Sequence, residues 1–450
     1  MTFVRGTRVF VVLAIVLAIV GFVACAACSV GPARQGPEAS PATTIGAEPT
    51  IGSPNKRLIP IVRVAEATGW PDDAMPAAAP GTKVNRFASG LDHPRWIYVL
   101  PNGDVLVAET NAPERPDEHK GIKGKVMKKM QEKAGAGVPS ANRITLLRDA
   151  DHDGVAELNT PFIEGLNSPF GMALVGPDFY VANTDAVVKF AYRDGATHLD
   201  GAGARVTALP AGTLNHHWTK NIIASADGSK LYATVGSNSN AAENGMDKEQ
   251  GRAAIWEIDL ATGDKRLFAT GLRNPNGLAW EPATGVLWTV ANERDELGND
   301  LVPDYLTSVK EAAFYGWPYS YFGRHVDGRV KPPRPDLVAT ALVPDYALGA
   351  HVAALGLASA KGNSLPSSFA DGMFIGLHGS WNRDPPAGYK VVFVPFRDGR
   401  PSGPYVDVLT GFVSDKGEAR GRPVGVAIDR QGALLVADDV GNVIWRVTGG

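Results

Sequence analysis

TGVLWTVAN, residues 284–292, combines a turn threonine and glycine, an unbroken apolar strand and a small or polar tail. The form recurs as PNGDVLVAE (101–109), GPDFYVAN (176–183), DGSKLYATVG (227–236), DGMFIGLHG (371–379) and QGALLVADD (431–439). Near-continuous apolar runs of this length mark strands covered on both faces. Copies roughly 50–90 residues apart are too widely spaced for one hairpin each, and fit one four-stranded sheet per copy, arranged radially. Partner strands such as AAIWEIDL (253–260) and KVVFVP (390–395) lie between them, each followed by turn residues. The expected fold is all-β, a six-bladed β-propeller of four-stranded blades spanning residues 61–450. The last copy, with VIWRV (443–447), leaves its blade one strand short, and residues 83–88 are placed to fill the gap and close the ring. A pair of β-sandwiches is the alternative.

The rest of the composition agrees. Fifty-one Gly and 33 Pro suit many short strands joined by turns. A formal net charge of −3 over 450 residues gives no electrostatic reason to expect a nucleic-acid partner.

The start of the chain reads differently. Arg5 and Arg8 precede an apolar run over residues 9–27, the layout of a secretory leader, and one long enough to remain as a membrane anchor. The only two cysteines, Cys25 and Cys28, end this run, and CAACS resembles a bacterial lipoprotein processing site. Cys28, after Ala-Ala and before Ser, is the preferred lipidation site, with Cys25 second. Residues 1–28 are thus read as leader or anchor. Residues 29–60, rich in Pro, Ala, Gly and Thr, are read as a flexible tether. The expectation is an exported, membrane-tethered protein on the periplasmic side of the cell envelope.

Residues 120–133 (KGIKGKVMKKMQEK) carry Val126, Met127 and Met130 at near-helical spacing. They are read as a short surface helix, or as a contact with a membrane surface.

Several stretches can carry chemistry. His216 and His217, in NHHW ahead of the third copy, can supply a general base or play a structural part. Arg273 and Asn274 sit in GLRNPNGL, where Arg can clamp a carboxylate or the pair can serve the turn. NERDELGND (292–300) is oxygen-rich and suits a hard cation, or is a solvated charge run. DADHDG (149–154) has D-x-D-x-D-G spacing, but Thr160 stands where an EF-hand needs Glu, so a tight Asx turn competes with calcium there.

Taken in order, residues 215–236, 271–300 and FYGWP (314–318) resemble the soluble PQQ-dependent sugar dehydrogenases. With residues 292–309 and HGSWNR (378–383), the likeness is to their sorbosone dehydrogenase branch, and covers roughly residues 83–450. The resemblance implies oxidation of a sugar or aldehyde, with PQQ as hydride acceptor and Ca2+ as Lewis acid. It implies His217 as catalytic base and Arg273 as stabiliser of the developing oxyanion, with Asn274 beside the quinone. Glu293 and Arg294 take the place of the family's calcium loop, with Asp300 in support. Arg383, Lys390 and Arg422 are candidates by position for the quinone's carboxylates. Two departures stand out: Lys220-Asn221 replaces the family's Gly-Arg, and charged residues replace its Gly-Pro in the calcium loop. The electron acceptor is not identified.

Two other readings stay open. Lactonase-like propellers hold a central calcium with strand-end side chains, and Glu109, Asn183, Asn292 and Asp438 occupy such ends. A non-catalytic propeller serving as a binding module is the third.

Overall fold

Apolar strands bounded by turn residues pair in sequence order into six four-stranded antiparallel sheets. The computed structural model describes residues 41–55, 62–118 and 120–450. The leader, Cys25, Cys28 and the rest of the tether lie outside these.

Blade 1 comprises Pro94–Val99, Val105–Glu109, Arg143–Arg148 and Leu158–Ile163. Blade 2 runs Met172–Val175, Asp178–Ala182, Ala186–Ala191 and Ala204–Ala208. Blade 3 runs Ile222–Ala224, Lys230–Val235, Ala254–Asp259 and Lys265–Thr270. Blade 4 runs Asn274–Trp280, Leu287–Asn292, Pro303–Ser308 and Tyr346–Ala350, and blade 5 Ala354–Ser359, Gly372–Leu377, Lys390–Arg397 and Val406–Thr410. Blade 6 joins Pro423–Ile428, Leu434–Asp438 and Val443–Gly449 to Thr82–Ser89 from the other end of the chain. That last pairing, with Val84 opposite Val447, closes the ring as the missing strand suggested. Each of the six repeated sequences is the second strand of its blade. Covered on both sides, these strands hold fully buried side chains such as Leu106, Phe179, Val290 and Val436.

The first strand of each blade is innermost, and these strands neighbour one another around the axis. They approach closely because glycine replaces side chains there; a Cβ on Gly356 would run into the Val424 carbonyl of the next blade. In blades 1, 4, 5 and 6 the innermost strand bulges against the second strand. A bulge re-aims the residues it contains. In blade 1, Pro94 faces Glu109 and Trp96 faces Ala108, so Arg95 is the extra residue.

One expectation changes and two are sharpened. Residues 41–55 are docked and not a free tether: Gly46 and Ala347 exchange backbone hydrogen bonds of 3.0 and 2.8 Å, and Asn55 N–H donates to the Leu297 carbonyl at 2.8 Å. Ile45 and Ile51 supply the apolar anchors, packing on the cores around blades 4 and 5 and blades 3 and 4. Residues 120–133 do form a helix, Gly121–Lys133, but Val126 points outward at 48% exposure while Met127 and Met130 face a cavity. In DADHDG, Asp149, Asp151 and Asp153 accept backbone N–H groups of Gly154, Asp153 and Val155, the hydrogen bonding of an Asx turn. No helix among the described residues is long and apolar enough to cross a membrane.

Candidate functional site

Innermost strands begin, and second strands end, on one face of the ring. There a cavity of about 320 Å³ opens, lined by His217 ahead of blade 3, Arg273 and Asn274 entering blade 4, Arg422 entering blade 6 and Arg95 entering blade 1. Asn292, Glu293 and His378 reach it from the ends of second strands. Its volume is at the low end of the ~300–1,000 Å³ usual for small-molecule sites.

His217 is oriented from behind. Its Nδ1 lies 2.9 Å from the Ser237 carbonyl, which can only accept, so Nδ1 carries the hydrogen and Nε2 is left as a bare acceptor. Burial pushes its pKa well below the usual imidazole value, and the neighbouring His216 and Arg273 push the same way. Lys220, one of the two departures, is fully buried and donates from Nζ to the Trp218 carbonyl at 3.0 Å, bracing the same turn. Asn221, the other, ties blade 3 to blade 4 through the Asn276 carbonyl. Gly236 keeps this corner tight: a Cβ there would collide with Asn274 Oδ1 and His217 Cβ.

Arg273 is buried and mostly committed. Nε donates to the Asn240 carbonyl at 3.2 Å, Nη1 to the Glu293 carbonyl at 2.5 Å, and Nη2 to Asp295 Oδ2 at 2.8 Å. Asp295 also accepts from Asn382 Nδ2 at 2.9 Å and lies 3.3 Å from His351 Nδ1. Burial pushes the Asp295 carboxyl up, but Arg273, His351 and Asn382 together hold it well below the usual range. Burial pulls His351 down, yet Asp295 and the Gly298 carbonyl at Nε2 raise it above the usual imidazole value, as two acceptors require of an imidazolium. Asp304, on the same wall, is pushed up to about 7 by burial.

Asn274 is fixed by a relay. The Asn292 amide donates to the Ala354 carbonyl at 2.7 Å, which turns Asn292 Oδ1 toward Asn274 Nδ2 at 3.0 Å. Asn274 Oδ1 is left buried without a hydrogen-bond partner.

The second wall is built around Asp439. It accepts Arg95 Nη1 at 2.6 Å and His378 Nε2 at 2.9 Å, and lies 3.6 Å from His93. Burial raises its carboxyl, but His378, His93 and Arg95 more than offset this and hold it well below the usual range. Arg422, 3% exposed, donates to Tyr389 Oη at 2.9 Å and to the Gly379 carbonyl at 3.4 Å. Among the described residues it pairs with no carboxylate side chain, and its Nε has no hydrogen-bond partner.

The remaining sequence candidates disperse. The Arg294 guanidinium is buried against Asp327, and the Glu293 carboxylate accepts the N–H groups of Arg294 and Phe322, at 2.8 and 3.1 Å. Asp300 pairs with Arg383 at 2.9 Å, neither of them lining the cavity. Lys390 pairs with Asp407 at 2.7 Å on blade 5, also away from it. The side chains of Glu293, Arg294 and Asp300 each have a partner elsewhere, so at this loop it is backbone carbonyls, and not these side chains, that are left to meet a cation. The strand-end set of the hydrolase reading is not gathered either. Glu109 is clamped by Arg143 at 2.9 and 2.7 Å, Asp438 accepts Trp70, Trp445, Arg422 N–H and Gly441 N–H, and of the four only Asn292 lines the cavity. Sequence reasoning missed Arg95, Arg115, Asp304 and His351, and gave no role to Asp295 or Asp439. The one available signal for Arg95 was its place after Pro94 at the start of a strand.

A family model described as TrAA12-like matches residues 76–309 and 339–449. An uncharacterised protein of Borreliella burgdorferi is 31% identical over 245 residues, covering 53% of this chain and 62% of that one. A pyrroloquinoline quinone-dependent pyranose dehydrogenase of Coprinopsis cinerea is 26% identical over 298 residues, 52% of this chain and 40% of that one. The chain thus spans less than two thirds of either relative. Two solved structures share the fold at 20% identity and 86% coverage of this chain. They are the Trichoderma reesei Carbohydrate-Active Enzymes Family AA12 protein (TM-score 0.68, 99% of that chain) and the holo PQQ domain of the Coprinopsis cinerea pyranose dehydrogenase (0.67, 100%). The family match takes in all six blades, including the strand that closes the ring, and the chain belongs to the TrAA12-like family.

Proposed function

We propose that this protein is a quinone-dependent oxidoreductase that oxidises a small sugar or a sorbosone-like aldehyde, with PQQ as electron acceptor and Ca2+ as Lewis acid. One observation carries the reading: Arg422 is a buried guanidinium with no carboxylate partner among the described residues, on the cavity that also holds the bare Nε2 of His217. A buried charge without a counter-charge is costly, and an anionic ligand removes that cost. PQQ is a tricarboxylate, and Arg422 and Arg95, each with an unpartnered Nε, fit its anionic groups. The unpartnered Asn274 Oδ1 offers an oxygen to a hard cation, and Asp304, whose oxygens accept the Glu293 and Ala353 N–H groups, lines the same wall. When bound, the quinone supplies the two-electron oxidant that takes the carbon-bound hydrogen with its electron pair, and Ca2+ supplies the Lewis acid.

The chain's own part is proton transfer and charge stabilisation. His217 Nε2 accepts the proton of the substrate hydroxyl, and its lowered pKa keeps it unprotonated at neutral pH. Arg273, after its contacts with Asn240, Asn292, Glu293 and Asp295, retains an N–H on Nη2 for the oxygen that is losing its proton. Asp295 holds that guanidinium still, and His351 holds Asp295.

Calorimetric titration of the leaderless protein with PQQ, with and without Ca2+, tests the reading. Calcium-dependent binding is expected; absence of binding under both conditions overturns it. Export and tethering through Cys28 or Cys25 belong to the same proposal. Replacing both cysteines with Ser is expected to release the protein from the membrane fraction, and retention there removes the lipid-tether part.

A further inference from the structure

The cavity is chemically two-sided. Arg273, Asn274, Asp295 and Asp304 make one side polar, whereas residues 62–70 and the Gly121–Lys133 helix present Val64, Met127 and Met130 to the same space. Helix and strap are joined: Ala67 N–H donates to the Lys133 carbonyl at 3.0 Å, and Lys133 pairs with Glu66 at 3.3 Å. Most polar groups near the apolar side are already engaged, Arg115 Nε being the exception, and Gln131 lines the same space beside the methionines. The Asn111 amide donates to the carbonyls of Ala136 and Val138, at 3.1 and 2.6 Å. Arg115 donates to the His216 carbonyl at 2.7 Å and pairs with Glu118 at 2.5 Å. A sugar with hydroxyls all round would leave water for a surface that offers it few new hydrogen bonds, which is unfavourable. An apolar flank placed there gains affinity, and unbranched Met side chains adapt to its shape.

We infer that Met127 and Met130, with Val64, are the substrate-selecting residues of this cavity, and that they fit a small aldehyde hydrate or deoxygenated sugar: an oxygenated edge toward His217 and Arg273, an apolar flank toward the methionines. The inference rests on the oxidoreductase reading and narrows its substrate class. A cavity of about 320 Å³ that also receives a quinone leaves room for one small molecule and not for a sugar chain.

The test compares the protein loaded with PQQ and Ca2+ with the Met127→Gln/Met130→Gln variant, which keeps side-chain size and removes apolar character. Across acetaldehyde, propanal and butanal, kcat/KM of the unmodified protein is expected to rise about fourfold per methylene, and the variant to flatten the series. A flat series in the unmodified protein, or an equal slope in the variant, overturns the inference. A second readout needs no turnover. Trp218 and Trp381 line the same cavity, so their fluorescence is expected to report saturable butanol binding, with and without PQQ, about tenfold weaker in the variant. Equal binding, or none, overturns the inference. A matching loss of PQQ affinity in the variant assigns the wall to the quinone and overturns it as well. Variant-sensitive butanol binding in a protein that oxidises nothing defeats the oxidoreductase reading and leaves the apolar wall standing.

Discussion

The cavity's two walls each hold an aspartate paired with an arginine, yet they are built differently. Asp295 sits with Arg273, His351 and Asn382, drawn from blade 4 and the segments around blade 5. Asp439 sits with Arg95, His378 and His93, and its bond to Arg95 spans 344 residues. On the first wall the guanidinium is matched by a carboxylate and three carbonyls. On the second, Arg422 is left over. The difference teaches a division of labour: a charge-balanced wall holds catalytic groups still, whereas a wall with a surplus cation holds an anion.

Loss of His217 tests the first wall most severely. His217→Ala is expected to lower kcat by about 10²–10⁴ while PQQ affinity, measured by calorimetry, stays within a few-fold. Near-full activity removes the base assignment.

The next pair sets one wall against the other. Arg273→Ala strands Asp295 beside the cavity without its guanidinium and is expected to cost about 3–5 kcal/mol of stability in urea unfolding. Arg422→Gln removes a charge that no carboxylate balances, so stability is expected to hold or rise while PQQ affinity falls by about 10–100-fold, roughly 1.4–2.8 kcal/mol. If both substitutions destabilise equally and leave PQQ affinity alone, the comparison fails.

The smallest effect is one of pH. His351 has a folded pKa above its unfolded value, so its contribution is fully present below about 6.5 and is lost as pH rises through the folded value. The stability advantage over His351→Gln is therefore expected to narrow as pH is raised from about 6.5 to about 8.5. A constant difference in thermal midpoint across that range removes the imidazolium from the first wall.

Much of the ring was legible in the sequence, because a strand covered on both faces writes its burial into consecutive residues. The six second strands follow from that, and the closing strand near residues 83–88 from the strand that the last copy lacks. The first wall was partly legible: His217, Arg273 and Asn274 stand in short motifs next to strand starts, and the structure brings all three to the cavity. Arg294 shows the limit. Its place in an acidic loop suggested a cation site, but Asp327, from the 310–338 segment that the family match omits, takes its guanidinium. The methionines at 127 and 130 showed a helical spacing without showing what they face.

What the sequence by itself determined is the number of blades and the way the ring closes, since both depend on local strand pattern and on a count of strands. What only the tertiary structure decided is which cations remain unpaired. Arg95, Arg422 and Asp439 meet because opposite ends of the chain share blade 6 and its neighbour, and the cost of a buried charge depends on the partners that surround it, not on the residue that carries it.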